Sequence, residues 1–253
     1  MTKKIPNQIT VPLEFKVACT LNRITIQEAL QIFINYCTLY NALNSRYNQY
    51  FDEANETIFR YLDTKRPGTK VIIRDEDEVQ QRILAIVEEA VDCGYDFILG
   101  QKRCTKHVNR LFTLLGRKFY PGSRTLYLDE ETPLQLTKDF CVICELYGCQ
   151  PSEYLEYYMS MISMADAEVR KDMMLKNHNC SMYFFMNTTL IFMEDHHERL
   201  TITREVADFL QEAEEFRLYL YTIRNFQQRK AMLQKFYQDY YQSINSKQFN
   251  YAN

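Results

Sequence analysis

Apolar residues recur at three- and four-residue steps along most of this chain, and sustained two-residue alternation is rare. That spacing lines one face of an α-helix and buries it. It predicts helices over Leu13–Leu21, from Thr25 onward, Asp77–Cys93, Lys102–Arg117, Ser152–Lys171 and Arg204–Ser243. The punctuation agrees with these boundaries. Thr25 followed by Glu28 has the capping-box spacing. Gly148 is placed to stop one helix, and Pro151 with Ser152 to start the next. The segment Arg66–Lys70 reads as a turn, followed by a short extended piece over Val71–Arg74. The expected fold class is all-α, mainly helical with at most short extended segments.

Laid against itself, the chain repeats. Pro12-Leu13 matches Pro133-Leu134, Cys19-x-Leu21 matches Cys144-x-Leu146, and Glu28-x-Leu30 matches Glu153-x-Leu155. Further on, Thr57–Phe59 resembles Leu190–Phe192, and Val71–Ala90 resembles Leu200–Phe216. The matches keep their order at offsets of 125 to 133 residues. They predict two pseudo-repeated helical halves, 1–120 and 121–253, the second ending in a long helix. The boundary falls in Tyr120–Thr132, which holds a Pro-Gly and no helical period.

Composition supports the helical reading. Hydrophobic residues make up 46% of the chain, with 19 Tyr and 16 Phe to fill a core. Gly and Pro number six each, few enough to disfavour a many-stranded sheet with its tight turns. The stretch Cys180–Met193 is apolar and uncharged, but fourteen residues fall short of the ~20 that span a bilayer. It predicts a buried helix or strand and no membrane association. The opening residues carry two lysines and no apolar run after them, so no secretory signal is expected. Eight cysteines without that signal, most inside helical apolar patterns, predict free thiols and a cytoplasmic setting.

Two clusters invite a chemical reading. Cys141, Cys144 and Cys149, with His178 or Cys180 as a fourth donor, could be read as zinc ligands. The first two fall on an apolar helical stripe, however, and core thiols are the expectation. His196 and His197 sit among Glu194, Asp195 and Glu198, but neighbours on a helix point about 100° apart. A solvated loop is expected there. Acidic pairs such as Glu88-Glu89 and Glu214-Glu215 read as solvated helix faces. With no phosphate loop, nucleophile elbow or paired-histidine motif, neither enzymatic activity nor a cofactor is expected.

Charge changes the picture more. The net charge is −3, but it is unevenly spread. Asp75–Gly100 carries eight acidic residues and one basic, and Gln101–Lys118 six basic and none acidic. Lys102, Lys106 and Arg110 form an i, i+4, i+8 row, with Arg103, Arg117 and Lys118 nearby and His107 and Asn109 beside it. Such a face could follow the phosphates of duplex DNA, unless the acidic neighbour packs alongside and neutralises it. The opening of the chain, with Asn7–Phe15 as a short strand and Thr25–Cys37 as a second helix, resembles ribbon-helix-helix DNA-binding proteins. The resemblance implies paired strands in the major groove. It covers under a sixth of the chain, and the second ribbon would carry Asp129, Glu130 and Glu131, which phosphates repel.

The favoured expectation is therefore a non-enzymatic, DNA-associated regulator using the basic helix face. The alternative is a helical interaction or self-assembly module. Its candidate surface is a stripe of Phe226, Leu233, Phe236, Tyr237 and Tyr240, which is also patterned to pack against the chain's own core.

Overall fold

The computed structural model describes residues 7–43, 49–65, 76–93, 96–119, 125–129, 131–195 and 204–251. Six helices come first: α1 Leu13–Leu21, α2 Ile26–Tyr36, α3 Leu39–Leu43, α4 Gln49–Lys65, α5 Asp77–Cys93 and α6 Phe97–Phe119. Strands β1 (Thr125–Tyr127) and β2 (Pro133–Gln135) form an antiparallel pair with Leu126 opposite Leu134. Six helices follow: α7 Lys138–Tyr147, α8 Pro151–Ser160, α9 Met164–Asp172, α10 Cys180–Asp195, α11 Arg204–Leu220 and α12 Phe226–Tyr251. The fold is all-α, and the only sheet among the described residues has two three-residue strands. No described helix is long and apolar enough to cross a membrane. The turn Arg66–Lys70 and the extended piece Val71–Arg74 lie outside the described residues.

Local chemistry sets the helix ends. Thr25 Oγ1 accepts from the Glu28 N–H at 3.1 Å, and Glu28 Oε2 accepts from the Thr25 N–H at 3.0 Å, closing the capping box that starts α2. Gly148 ends α7 in the left-handed region at φ 65°. The Cys149 N–H then donates to Cys144 O at 2.9 Å. At the end of α1, Arg23 takes φ 52° and the Ile24 N–H donates to Cys19 O at 3.1 Å, the same closing pattern. Pro151 begins α8, where its missing N–H removes no helical bond.

Two of the expected helices are each divided. Ser152–Lys171 is broken between α8 and α9, where Ser163 turns out of the helix and its Oγ accepts from the Asp166 N–H. Arg204–Ser243 is broken after Leu220, and Asn225 Oδ1 caps the new helix by accepting from the Gln228 N–H at 2.9 Å. Arg229 holds this second break closed. Its guanidinium donates to the carbonyl oxygens of Tyr221 and Ile223 at the end of α11. The ribbon expected over Asn7–Phe15 is much reduced. Helix α1 already begins at Leu13, and the segment makes one parallel bridge, between Gln8 and Tyr127.

The main core takes side chains from both sides of residue 120. Phe33 on α2 stacks on Tyr158 of α8, with ring centroids 3.7 Å apart and planes within 10°. Phe15 of α1 meets the edge of Tyr158 at 6.1 Å, and Phe140 of α7 meets Phe33 at 6.4 Å. Phe184 and Phe185 of α10 close the same cluster. A second, smaller core joins Val17, Ala165, Val169, Phe209, Ala213, Leu220, Leu233 and Tyr237. The long helices cross over. Helix α6 packs along α7, where Lys138 Nζ donates to Asn109 Oδ1 at 2.7 Å, and α12 packs along α1, where Gln238 Nε2 donates to Glu14 Oε1 at 2.8 Å. Helix α6 also approaches α3 closely at Gly100, where an added Cβ would lie 2.4 Å from Tyr40 Oη.

Candidate functional site

Helix α6 buries Cys104, Val108, Leu111 and Leu115 and turns Lys102, Arg103, Lys106 and Arg110 outward, as its periodicity requires. Helix α5 lies antiparallel beside it, and its carboxylates reach the row. Glu89 takes Lys106 at 3.0 Å and Arg103 at 3.7 Å, while Glu78 takes Arg110 Nη2 at 2.7 Å and Nε at 2.9 Å. The hydrogen bond from Lys106 holds the Glu89 carboxyl below its ordinary range. Lys102 is exposed beside them. Arg117 and Lys118 continue the helix, and their side chains lie outside the described residues.

One neighbour of the row is placed otherwise than expected, and the other is exposed but already engaged. His107 is buried with Val108 rather than beside the lysines. Burial lowers its pKa, so the ring is neutral near pH 7, and its Nδ1 has no hydrogen-bond partner among the described residues. Asn109 is engaged by Lys138 on α7. The row therefore also serves as the seam between α5 and α6.

Cys141, Cys144 and Cys149 are buried and outside any disulfide. Desolvation pushes the Cys144 thiol well above its ordinary range, so it stays protonated. Cys180 is buried against Thr57, and His178 is exposed on the loop before α10. Among the described residues no three His, Cys, Asp or Glu side chains come together as a metal site. His196 and His197 lie outside the described residues.

The aromatic stripe of α12 is covered by the chain itself. Leu233 and Tyr237 are buried, and Phe226, Phe236 and Tyr240 are half-buried. Tyr240 stacks on Phe209 of α11 at 3.5 Å, Phe236 on Phe216 at 4.9 Å, and the Arg170 guanidinium lies over Phe226 at 4.9 Å.

Between α1, α9, α11 and α12 this packing leaves a cavity of about 310 Å³. Leu21, Met164, Phe209, Ala213, Tyr237 and Tyr240 form most of its apolar wall. At its polar part Arg217 gathers three carboxylates: Asp172 at 2.6 Å, Glu168 at 3.2 Å and Glu214 at 3.3 Å. Glu214 is solvated on its helix as expected and also pairs with Arg217, whereas Glu89 is more covered and pairs across to α6. Glu214 and Arg217 have i, i+3 spacing, but no spacing foretells Asp172, 45 residues from Arg217.

No protein-family model matches the chain, and no curated protein and no solved structure does. Fold and side chains define a class: an all-α protein with a charge-paired helix seam and an aromatic cavity.

Proposed function

We propose that this chain is a non-enzymatic helical binding protein, built from two copies of one six-helix unit, that engages basic amphipathic segments of partner proteins. The duplication is supported by residues that share the 125-residue offset: Phe15 with Phe140, Phe33 with Tyr158, Cys19 with Cys144, and Glu28 with Glu153. The paired ring contacts, the matching ends of α1 and α7, and the crossed packing of α6 and α12 point the same way. A reducing, cytoplasmic setting fits eight cysteines that form no disulfide.

The observation that carries the binding role is an acidic, apolar ridge. On α5, Leu84 is 60% exposed and Val91 74%, seven residues apart on one face among the exposed acids Asp77, Glu88 and Asp92, and Ile98 at the start of α6 is 79% exposed near Asp96 in sequence. Helix α11 presents Leu218 and Tyr219, with Tyr221 just beyond its end, and carries exposed Asp208, Glu212 and Glu215. Large apolar side chains left in water mark interaction surfaces, and the surrounding charge selects a basic partner. Duplex DNA at Lys102, Arg103, Lys106, Arg110, Arg117 and Lys118 is the competing reading. It asks phosphates to displace Glu78 and Glu89 from the cations they hold.

The test is fluorescence anisotropy with a labelled Leu/Lys helical peptide, a Leu/Glu peptide of the same pattern and a 20-base-pair duplex. The Leu/Lys peptide is expected to bind, more weakly with added salt and with Leu84→Glu or Val91→Glu. Equal binding of both peptides, or none, overturns the ridge reading. Steeply salt-dependent duplex binding that is lost on charge reversal at Lys102, Lys106 and Arg110 restores the DNA reading.

A further inference from the structure

A second, open cavity of about 420 Å³ lies between the end of α8, the start of α9, the loop before α10, and α12. Its volume falls within the ~300–1,000 Å³ of small-molecule sites. Its lining is unlike that of the aromatic cavity. Among the described residues that form its wall, Met161 alone is apolar, and no Phe or Tyr takes part.

Charge and hydrogen-bonding capacity on this wall point the same way. Arg170, Lys176 and Lys230 stand against a single carboxylate, Asp166, which leaves two positive charges before His178 is counted. Both Asp166 oxygens are taken, Oδ2 by Arg170 Nε at 2.6 Å and Oδ1 by Lys230 Nζ at 2.8 Å. The neighbouring acceptors are satisfied within the chain as well. Ser163 Oγ accepts from the Asp166 N–H, Asn177 Oδ1 from the Asn179 N–H, and Asn179 Oδ1 from the Met182 N–H. The Met161 carbonyl oxygen, near the end of α8, accepts from Asn179 Nδ2.

Donors are what remain. Lys176 and His178 are exposed and have no hydrogen-bond or ion-pair partner among the described residues. Lys230 Nζ gives one of its three protons to Asp166 and keeps the others. A wall with surplus donors and surplus positive charge is complemented by a group with several acceptor oxygens and more than one negative charge. Phosphate has both, and lysine ammonium groups are common partners for it. Without a Phe or Tyr to stack on, the rest of the ligand is polar.

We propose that this cavity binds a small, polar phosphate ester. Lys176, Lys230 and His178 supply the N–H groups that meet the phosphate, and Asp166 holds Arg170 and Lys230 in place at the wall.

The experiment is titration of the full chain with ribose-5-phosphate and with ribose, read by calorimetry and two-dimensional NMR. The phosphate ester is expected to bind at least about tenfold more tightly, and less so as salt is added. Lys176→Glu should remove most of that preference. Lys235→Glu, an exposed charge reversal on α12 outside the cavity, should change the affinity by no more than about twofold. No binding of ribose-5-phosphate at millimolar concentration, equal affinity for the two sugars, or an equal effect of the two variants overturns the proposal. Capture by vesicles carrying phosphatidic acid, with no binding of the soluble ester, overturns it in favour of a lipid headgroup. The comparison of the two sugars on the unaltered chain needs no variant. It is independent of the ridge, because none of Leu84, Val91 and Ile98 lines this cavity.

Discussion

Phe33 and Tyr158 lie face to face at 3.7 Å, one from each side of the β-hairpin, and each is fully buried. Their rings are the meeting point of α2 and α8, and Phe15 and Phe140 pack edgewise against them from either side. Truncating either stacked ring to Ala should cost about 3–5 kcal/mol in urea denaturation. The double variant should reveal a coupling of about 0.5–1.5 kcal/mol. Strictly additive losses would show that the stack contributes area and no specific interaction.

The Tyr158 hydroxyl is buried and has no hydrogen-bond partner among the described residues. Tyr158→Phe removes a desolvated polar group and keeps the ring. It should therefore raise stability by about 1 kcal/mol. A loss of that size instead would mean that the hydroxyl bonds to a water.

Gly100→Ala sets two effects against each other. Helix propensity favours Ala over Gly by about 1 kcal/mol. The new Cβ, however, would stand 2.4 Å from Oη and 2.6 Å from Cζ of Tyr40, a side chain with almost no room to withdraw. Overpacking of about 1–3 kcal/mol should win and lower the melting temperature. Tyr40→Leu in the same background should recover part of the loss. A Gly100→Ala variant more stable than the parent would refute the close approach of α3 and α6.

Seven of the eight thiols are buried, and Cys93 is half-exposed. A thiol reagent at pH 8 should therefore label Cys93 rapidly and the other seven only on unfolding, with Cys93→Ser abolishing the fast phase. The same burial sets a pH dependence. Unfolded thiols ionise near about pH 8.5, whereas burial pushes Cys104 up to about 12 and Cys19 and Cys37 higher. Above pH 8.5 the native state holds more protons than the unfolded one, so stability should fall as pH rises toward 12. Denaturation midpoints measured from pH 8 to 10.5 check the sign.

Much of the secondary structure was legible in the sequence, because it rests on local chemistry. Thr25 with Glu28, Gly148 and Pro151 mark helix ends through groups only a few residues away. The two missed breaks carried the same kind of signal. Ser163 precedes Asp166 by three residues, and Asn225 precedes Gln228 by three, both at cap spacing. They were hidden because the apolar period continues across them. The seam of α5 and α6 was harder. Lys106 meets Glu89 from 17 residues away and Arg110 meets Glu78 from 32, and which acid meets which base depends on how two helices are set side by side. The aromatic cavity was not legible, since its walls come from four helices and its charged groups, Arg23, Glu168, Glu214 and Arg217, from three of them or their ends.

The shared core has a consequence in time. While residues beyond 120 are still inside the ribosome, Phe15 and Phe33 have emerged without Phe140, Tyr158 or Phe185 to cover them. The nascent first half must wait, with its largest rings uncovered, until the second arrives. The order in which the paired aromatics leave the exit tunnel thus places completion of this core after synthesis of the second half.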